Sequence, residues 1–251
     1  MFDLDTTEDP AWFYLDSQHQ WITGLMKETF DTAIQKINRV RAEDGSEDSS
    51  IKRSLTLKKS ISQIPILKEM GSEEEKLDIE QKVWRATSDL VKSLSSLLLR
   101  CLPDFWRLSK AFIEGKFANK TSTTTISSNR KRRQGMDMNK VEQCQRMTRD
   151  IIDQYVSLLS DYFSLDQKQL EMQKVKDGSE RCIMPSFVPV NANSVYTSEY
   201  LTLIIGDLAT CVNDINNINL AGEAFSGLTN LMEKARSKFI DIVCKCWERG
   251  M

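Results

Sequence analysis

Apolar residues recur at intervals of three and four along most of this 251-residue chain. The pattern is clearest between positions 21 and 40, where it continues for several turns of a helix with about 3.6 residues per turn. Its members are Trp21, Ile22, Leu25, Met26, Phe30, Ala33, Ile34, Ile37 and Val40. A helix with this spacing has one apolar face, which it buries against other helices. The sequence therefore predicts a fold of packed helices.

Similar spacing predicts further helices later in the chain. Ser72 and Glu75 fit a capping box at the start of a second helix. A third begins near Met136 and either continues to about position 177 or breaks near Leu165. The run at 201–205, "LTLII", has strand propensity, but helical spacing continues beyond it, and no convincing pair of strands is found. The predicted fold class is all-α, with elongated antiparallel helical bundles stacked into a rod.

A proline interrupts the most apolar of these helical patterns, in "SLLLRCLPDFWRL" at 96–108. Proline has no amide to continue the helix, and it disfavours helical angles at Leu102, the residue before it. The segment therefore predicts that one helix ends or kinks here and that Pro103 opens the next. We expect Phe105 to pack into the core at this corner.

Polar segments divide the chain into the predicted units. The first helical bundle covers 1–118 and contains a flexible insert at 42–60, where an acidic run gives way to a basic one. A flexible, basic, Ser/Thr-rich linker follows at 119–135. The second group of helices covers 136–251 and contains a proline-containing loop at 177–193.

Four consecutive cations, Arg130, Lys131, Arg132 and Arg133, close the linker. They fit a solvated loop, a contact for anionic lipid or phosphate, or a nuclear address, and the sequence does not choose among these. No aromatic residues alternate with the cations, and the net charge of the chain is -2. Both features argue against a dedicated nucleic-acid-binding protein, so no nucleic-acid partner is expected.

The residues of catalytic and metal sites are scarce. His19 is the only histidine, and the chain has no glycine-rich phosphate loop, no GxSxG and no HExxH motif. Its six cysteines include no CxxC pair, which makes a zinc site improbable and favours reduced, buried thiols. No apolar run reaches the length of a membrane-spanning helix, and the first residues lack the features of a secretory signal. We therefore expect a non-enzymatic protein without a cofactor or metal.

Four segments resemble the middle helical region of exocyst complex component two in its fungal form. They are "EDPAWFYLDSQHQWI" (8–22), "SLLLRCLPDFWRL" (96–108), "YLTLIIGDLATCVNDIN" (200–216) and "ARSKFIDIVCKCWERG" (235–250). The resemblance implies a fragment of a rod-shaped exocyst subunit, which scaffolds other subunits and tethers secretory vesicles to the plasma membrane before SNARE-mediated fusion.

The resemblance also implies partners and a location. The partners are the other exocyst subunits, with small GTPases or SNARE proteins reached through the assembled complex. The location is the cytoplasm, with peripheral recruitment to sites of polarised secretion at the plasma membrane. Structural or partner-interface roles are implied for Trp12, Trp21, Leu102, Pro103, Phe105, Trp106 and Trp247. A generic helical adaptor and an anionic-lipid-binding module remain as alternatives.

Overall fold

The computed structural model is almost entirely helical, which confirms the all-α class. It describes residues 10–58, 65–116, 138–166, 172–174, 180–182, 184–190, 192–218 and 223–250. The helices within these ranges are α1 (Pro10–Lys58), α2 (Pro65–Ile113), α3 (Met138–Phe163), α4 (Ser194–Asn216) and α5 (Glu223–Gly250). Two short strands, β1 (Met172–Lys174) and β2 (Glu180–Cys182), pair antiparallel, with Gln173 opposite Arg181.

Backbone caps fix where α2 and α3 end. Gly115, with a φ of 69°, donates its N–H to the Phe112 carbonyl, and Lys116 donates to Ala111. These paired bonds satisfy carbonyls that have no partner inside the helix, and they require the left-handed conformation that glycine adopts without strain. Ser164 ends α3 in the same way, with a φ of 52°. Helix α2 therefore ends on a glycine and α3 on a serine, each in the left-handed conformation.

The first two helices form a long antiparallel pair. The rings of Trp12 and Phe112 lie 5.7 Å apart near one end. Further along, the Lys36 ammonium lies 3.0 Å from the Asp89 carboxylate. Each helix has 49 residues, which corresponds to about 70 Å at ~1.5 Å per residue. Both are therefore far longer than α3, α4 or α5.

Helices α2, α3, α5 and α4 pack in that order around a closed ring, and α1 lies against α2 and α3. Helix α3 is antiparallel to α2, since the hydroxyls of Ser95 and Tyr155 lie 2.9 Å apart, as do those of Thr87 and Tyr162. Helix α4 runs in the same direction as α2 and α5 in the same direction as α3. This arrangement, which we name the four-helix ring, gives each helix two neighbours and a shared interior.

One hydrophobic core contains residues from every helix. It includes Met26 of α1, Trp84 of α2, Ile151 of α3, Leu208 of α4 and Ile242 of α5, each of them fully buried. Residues from both predicted units, 1–118 and 136–251, therefore contribute to this one core. Removing apolar side chains from water drives this packing, at about 25 cal/mol per Å².

The prediction that one helix ends here and that Pro103 opens the next is wrong, because α2 continues through this residue to Ile113. The alternative, a kink at Pro103, stays a prediction. Proline denies the Leu99 carbonyl its usual N–H partner, but the residues around it are held by the core. Leu98 and Leu102 are fully buried and Phe105 is 3% exposed. Tertiary packing of this face offsets a local penalty of about 3 kcal/mol.

Helix α1 occupies most of the range 42–60, which the sequence analysis assigned to a flexible insert, since it continues to Lys58. Much of this range consists of Ala, Glu, Lys, Arg and Leu, which are good helix formers, and α1 enters it without a capping signal. The flexibility of the range stays a prediction. Positions 59 and 60 and the linker at 119–135 lie outside the described residues.

The loop predicted at 177–193 contains β2, so the expectation of no strand pair is also wrong. Three-residue strands are too short for an alternating apolar pattern to reveal them. The segment at 184–190 is irregular. Its Phe187 and Val188 are buried in the core. Asn193 then caps α4, with its side-chain oxygen accepting the N–H of Val195 at 2.8 Å.

Candidate partner-binding surface

An open groove of about 480 Å³ lies between the first turns of α1 and the last third of α2. We name it the α1–α2 groove. Its α1 wall carries Tyr14, Gln18 and Trp21, which are separated by four and three positions and therefore share one face of the helix. Its α2 wall carries Arg100 and Asp104, which are separated by four. The groove is thus a direct product of two helical spacings.

The floor of the groove is apolar and belongs to the core. Ile22, Cys101 and Phe105 line it, and each is at most 8% exposed. The Phe105 ring also lies 6.3 Å from the ring of His19 on the opposite helix. Since its members are fixed by packing beneath it, the floor is preorganised for a partner.

The rim carries large exposed side chains. Tyr14 is 53% exposed and Trp21 is 52% exposed, although each could bury most of its ring area at an interface. Arg100 is also exposed. Asp104 pairs with Arg107 on the same helix, with 3.4 Å between the charged atoms. Trp, Tyr and Arg are the residues most enriched among those that dominate binding energy at protein interfaces.

The residues selected from the sequence lie in three different environments. Leu102 and Phe105 are buried, whereas Trp21 and Trp247 are exposed, the latter by 62%. Trp12, Pro103 and Trp106 are half-buried. Of these residues, the α1–α2 groove brings together Trp21 and Phe105. Trp247 lies near the end of α5, and Arg130, Lys131, Arg132 and Arg133 lie outside the described residues.

Tyr155 and Cys144 are two buried polar residues elsewhere in the described chain. The Tyr155 hydroxyl hydrogen-bonds Ser95 in the core, and burial raises the pKa of Tyr155 well above its ordinary value. Burial likewise raises the pKa of Cys144 to about 11 and keeps its thiol protonated. Among the described residues, no cluster of His, Cys, Asp or Glu could hold a metal ion. No described helix is long and apolar enough to cross a membrane.

An interaction surface on an all-helical bundle fits the comparison with known families. The model of the family described as exocyst complex component Sec5 matches residues 1–251. The chain belongs to this family. Family membership confirms the exocyst assignment and supports a subunit role in vesicle tethering. Searches of curated proteins and of solved structures give no match.

Sequence reasoning missed two rim residues of this exocyst protein. Tyr14 and Arg100 both lie in segments that carry the family resemblance, but neither is predicted as a site residue. The seven-residue separation of Tyr14 and Trp21 was a usable signal, since it places both on one helical face. Their position opposite Arg100 depends on the pairing of α1 with α2, which no local pattern encodes.

Proposed function

We propose that this chain is a scaffolding segment of an exocyst subunit, corresponding to the middle helical region of component two in its fungal form. In this proposal it holds other exocyst subunits at a defined separation while the complex tethers a secretory vesicle to the plasma membrane. The main support is the α1–α2 groove, where exposed Tyr14, Trp21 and Arg100 surround a preorganised apolar floor. Membership of a non-enzymatic tethering family agrees with this role.

In the proposed mechanism, the chain binds and positions its partners and does not catalyse a reaction. A partner that covers the groove removes the exposed rings from water, while the fixed floor avoids much of the entropy loss that accompanies ordering. The paired helices α1 and α2 would then hold the bound partner at a fixed position on the bundle. Further bundles stacked beyond this one would extend the same rod. Small GTPases and SNARE proteins would reach this segment through the assembled complex.

The same proposal places the protein in the cytoplasm, recruited peripherally to sites of polarised secretion. Arg130 to Arg133, in the proposed flexible linker at 119–135, are candidates for contact with anionic headgroups, at about 1 kcal/mol per cation near the surface. Replacing the four with glutamine is expected to weaken binding to vesicles containing phosphatidylserine. Unchanged binding would remove this contact from the proposal.

The groove is tested with the full chain and an exocyst assembled from the other subunits. Trp21→Ala is expected to weaken binding about 30-fold, which corresponds to a loss of about 2 kcal/mol at a dominant interface residue. Leu203→Ala is the control, because Leu203 is comparably exposed (49%) but lies on α4. Equal binding by both variants and the wild type would contradict the groove assignment. No binding by the wild type would contradict the exocyst role itself.

A further inference from the structure

We propose that a second groove, between α4 and α5, binds an amphipathic α-helix of another exocyst subunit, and that this helix places a carboxylate against Arg236. The inference rests on the proposed scaffolding function and adds a partner class and a second attachment point to it. We name this feature the α4–α5 groove. It lies on helices that do not line the α1–α2 groove, so the chain would bridge two partners rather than hold one.

The α4–α5 groove has dimensions that suit a bound helix. Its volume is about 320 Å³, and its lining runs along α4 from Ser198 to Ile205 and along α5 from Arg236 to Cys244. These spans correspond to about 10–12 Å of each helix, or two turns. Ile240 is 57% exposed within the groove. This exposed apolar area is available to a partner.

The hydroxyl groups of the α4 wall do not need a hydrogen-bond acceptor from a bound partner. The Ser198 hydroxyl donates to the Val195 carbonyl at 2.8 Å, and the Thr202 hydroxyl donates to the Ser198 carbonyl at 2.6 Å. Both donors are therefore satisfied within α4. A partner can cover this wall with apolar side chains and leave neither donor without an acceptor.

Arg236 is the only charged residue in the lining and marks one end of the groove. It has no ion-pair partner within the described part of the chain, and it is exposed. A partner that buried Arg236 without a counter-charge would incur a desolvation penalty, whereas an Asp or Glu at the matching end would offset it. Charge complementarity therefore specifies an apolar helix face with a carboxylate at one end.

The packing of α1 on the bundle shows how a partner helix would pack in the α4–α5 groove. Helix α1 lies against α2 and α3, where it buries Leu15, Ile22 and Met26 from one face. Helices α4 and α5 form the other side of the four-helix ring, and no helix of the described chain covers the groove between them. An occupant with apolar residues three and four positions apart would repeat the packing of α1 at this site.

A second copy of this chain fits the groove poorly. Two-fold pairing would bring the same surface of each copy together, and the lining of that groove includes a cation and no carboxylate. The two Arg236 side chains would then be covered without a counter-ion from the lining. A partner of different sequence meets the charge requirement, and for this reason the proposal commits to another subunit.

The test measures binding of the full chain to an exocyst assembled from the other subunits. Ile240→Asp and Arg236→Glu are each expected to weaken binding at least about tenfold, because each leaves an unfavourable charge in the covered groove. Leu203→Asp is the matched control, since Leu203 is also exposed on α4 but outside the lining. Thermal unfolding of all three variants checks that the fold is intact.

Cross-linking identifies the occupant. A photoreactive phenylalanine analogue at position 240 is expected to label a helix of another subunit near an Asp or Glu, and changing that residue to Lys should restore binding of Arg236→Glu. Wild-type binding by Ile240→Asp, or labelling of a second copy or of another segment of this chain, would overturn the inference. If Trp21→Ala binds weakly while Ile240→Asp binds normally, the inference alone fails. If the wild type does not bind, both proposals fail.

Discussion

Phe187 takes part in more aromatic ring contacts than any other described residue. Its ring lies 5.0 Å from Phe163, 6.1 Å from Phe239 and 6.5 Å from Trp84, so a single loop residue contacts α3, α5 and α2. Arg41 of α1 donates a hydrogen bond to the Phe187 carbonyl at 2.9 Å. The loop that contains Phe187 therefore closes the centre of the bundle.

Replacing the Phe187 side chain tests how much it contributes to stability. Phe187→Ala is expected to lower the free energy of unfolding by about 3–5 kcal/mol, because it removes a buried ring and leaves a cavity. Denaturant titration followed by circular dichroism measures the change. Val190→Ala is the control in the same loop, since Val190 is 87% exposed and should alter stability by less than about 0.5 kcal/mol. Similar losses for the two variants would contradict this assignment.

Glu80 stabilises the start of α4 from a buried position on α2. Its carboxylate accepts the N–H of Asn193 at 2.9 Å and the indole N–H of Trp84 at 3.3 Å. Burial raises the pKa of Glu80 above its ordinary value of 4.5, although both hydrogen bonds act in the opposite direction. The folded protein therefore binds a proton here more readily than the unfolded chain does.

The Glu80 contribution to stability is expected to fall as the pH rises from about 4.5 through the raised pKa. Glu80→Gln should remove this dependence, so the stability of the wild type relative to this variant should decline over that window. Glu80→Ala should lose about 1–3 kcal/mol, because two buried donors then have no acceptor. Denaturation at several pH values measures both effects. A constant difference between wild type and Glu80→Gln would contradict the assignment.

Among the described helices, α2 is unusual because it contains an internal proline, Pro103. Pro103→Ala restores an N–H donor for the Leu99 carbonyl and is expected to raise the free energy of unfolding by about 1–3 kcal/mol. Arg107→Ala, one turn later and 81% exposed, should change it little. A loss of stability in Pro103→Ala would show instead that the core requires the proline geometry.

The helices were predictable where apolar spacing and caps agreed. Helix α4 was recovered despite the strand propensity of 201–205, because the helical pattern continued on both sides. Helix α2 was divided incorrectly, since a local proline signal says nothing about the burial of Leu98 and Leu102. The role of Phe187 could not be predicted, because a loop residue has no periodicity to indicate which helices will surround it.

The candidate surface was predictable only in part, for a similar reason. Trp21 was selected as part of a resembling segment, although the apolar stripe also assigned it to the buried face. Its 52% exposure and its position opposite Arg100 follow from the pairing of α1 with α2. The packing of all the helices decides which apolar residues remain exposed. Local sequence therefore does not predict the exposure of a residue at the edge of an apolar stripe.

In the whole molecule, the two proposed binding surfaces lie on different helices around a single core. The four-helix ring and α1 share one core, and this core holds both grooves in fixed positions. The α1–α2 groove and the α4–α5 groove use different helices, so two partners could be held at once. A rigid bundle with surfaces on separate helices meets the mechanical requirement of a tether, which is to keep its partners at a defined distance.

Hydrogen–deuterium exchange of the chain, alone and within an assembled exocyst, shows whether partner subunits cover the α1–α2 groove. Amide exchange is expected to slow on assembly in peptides covering 14–22 and 100–108, because a bound partner suppresses local opening of the helices beneath it. Core peptides such as 151–159 should change little. Unchanged exchange at both 14–22 and 100–108 in a complex that contains the chain would contradict the claim that these helices bind partner subunits.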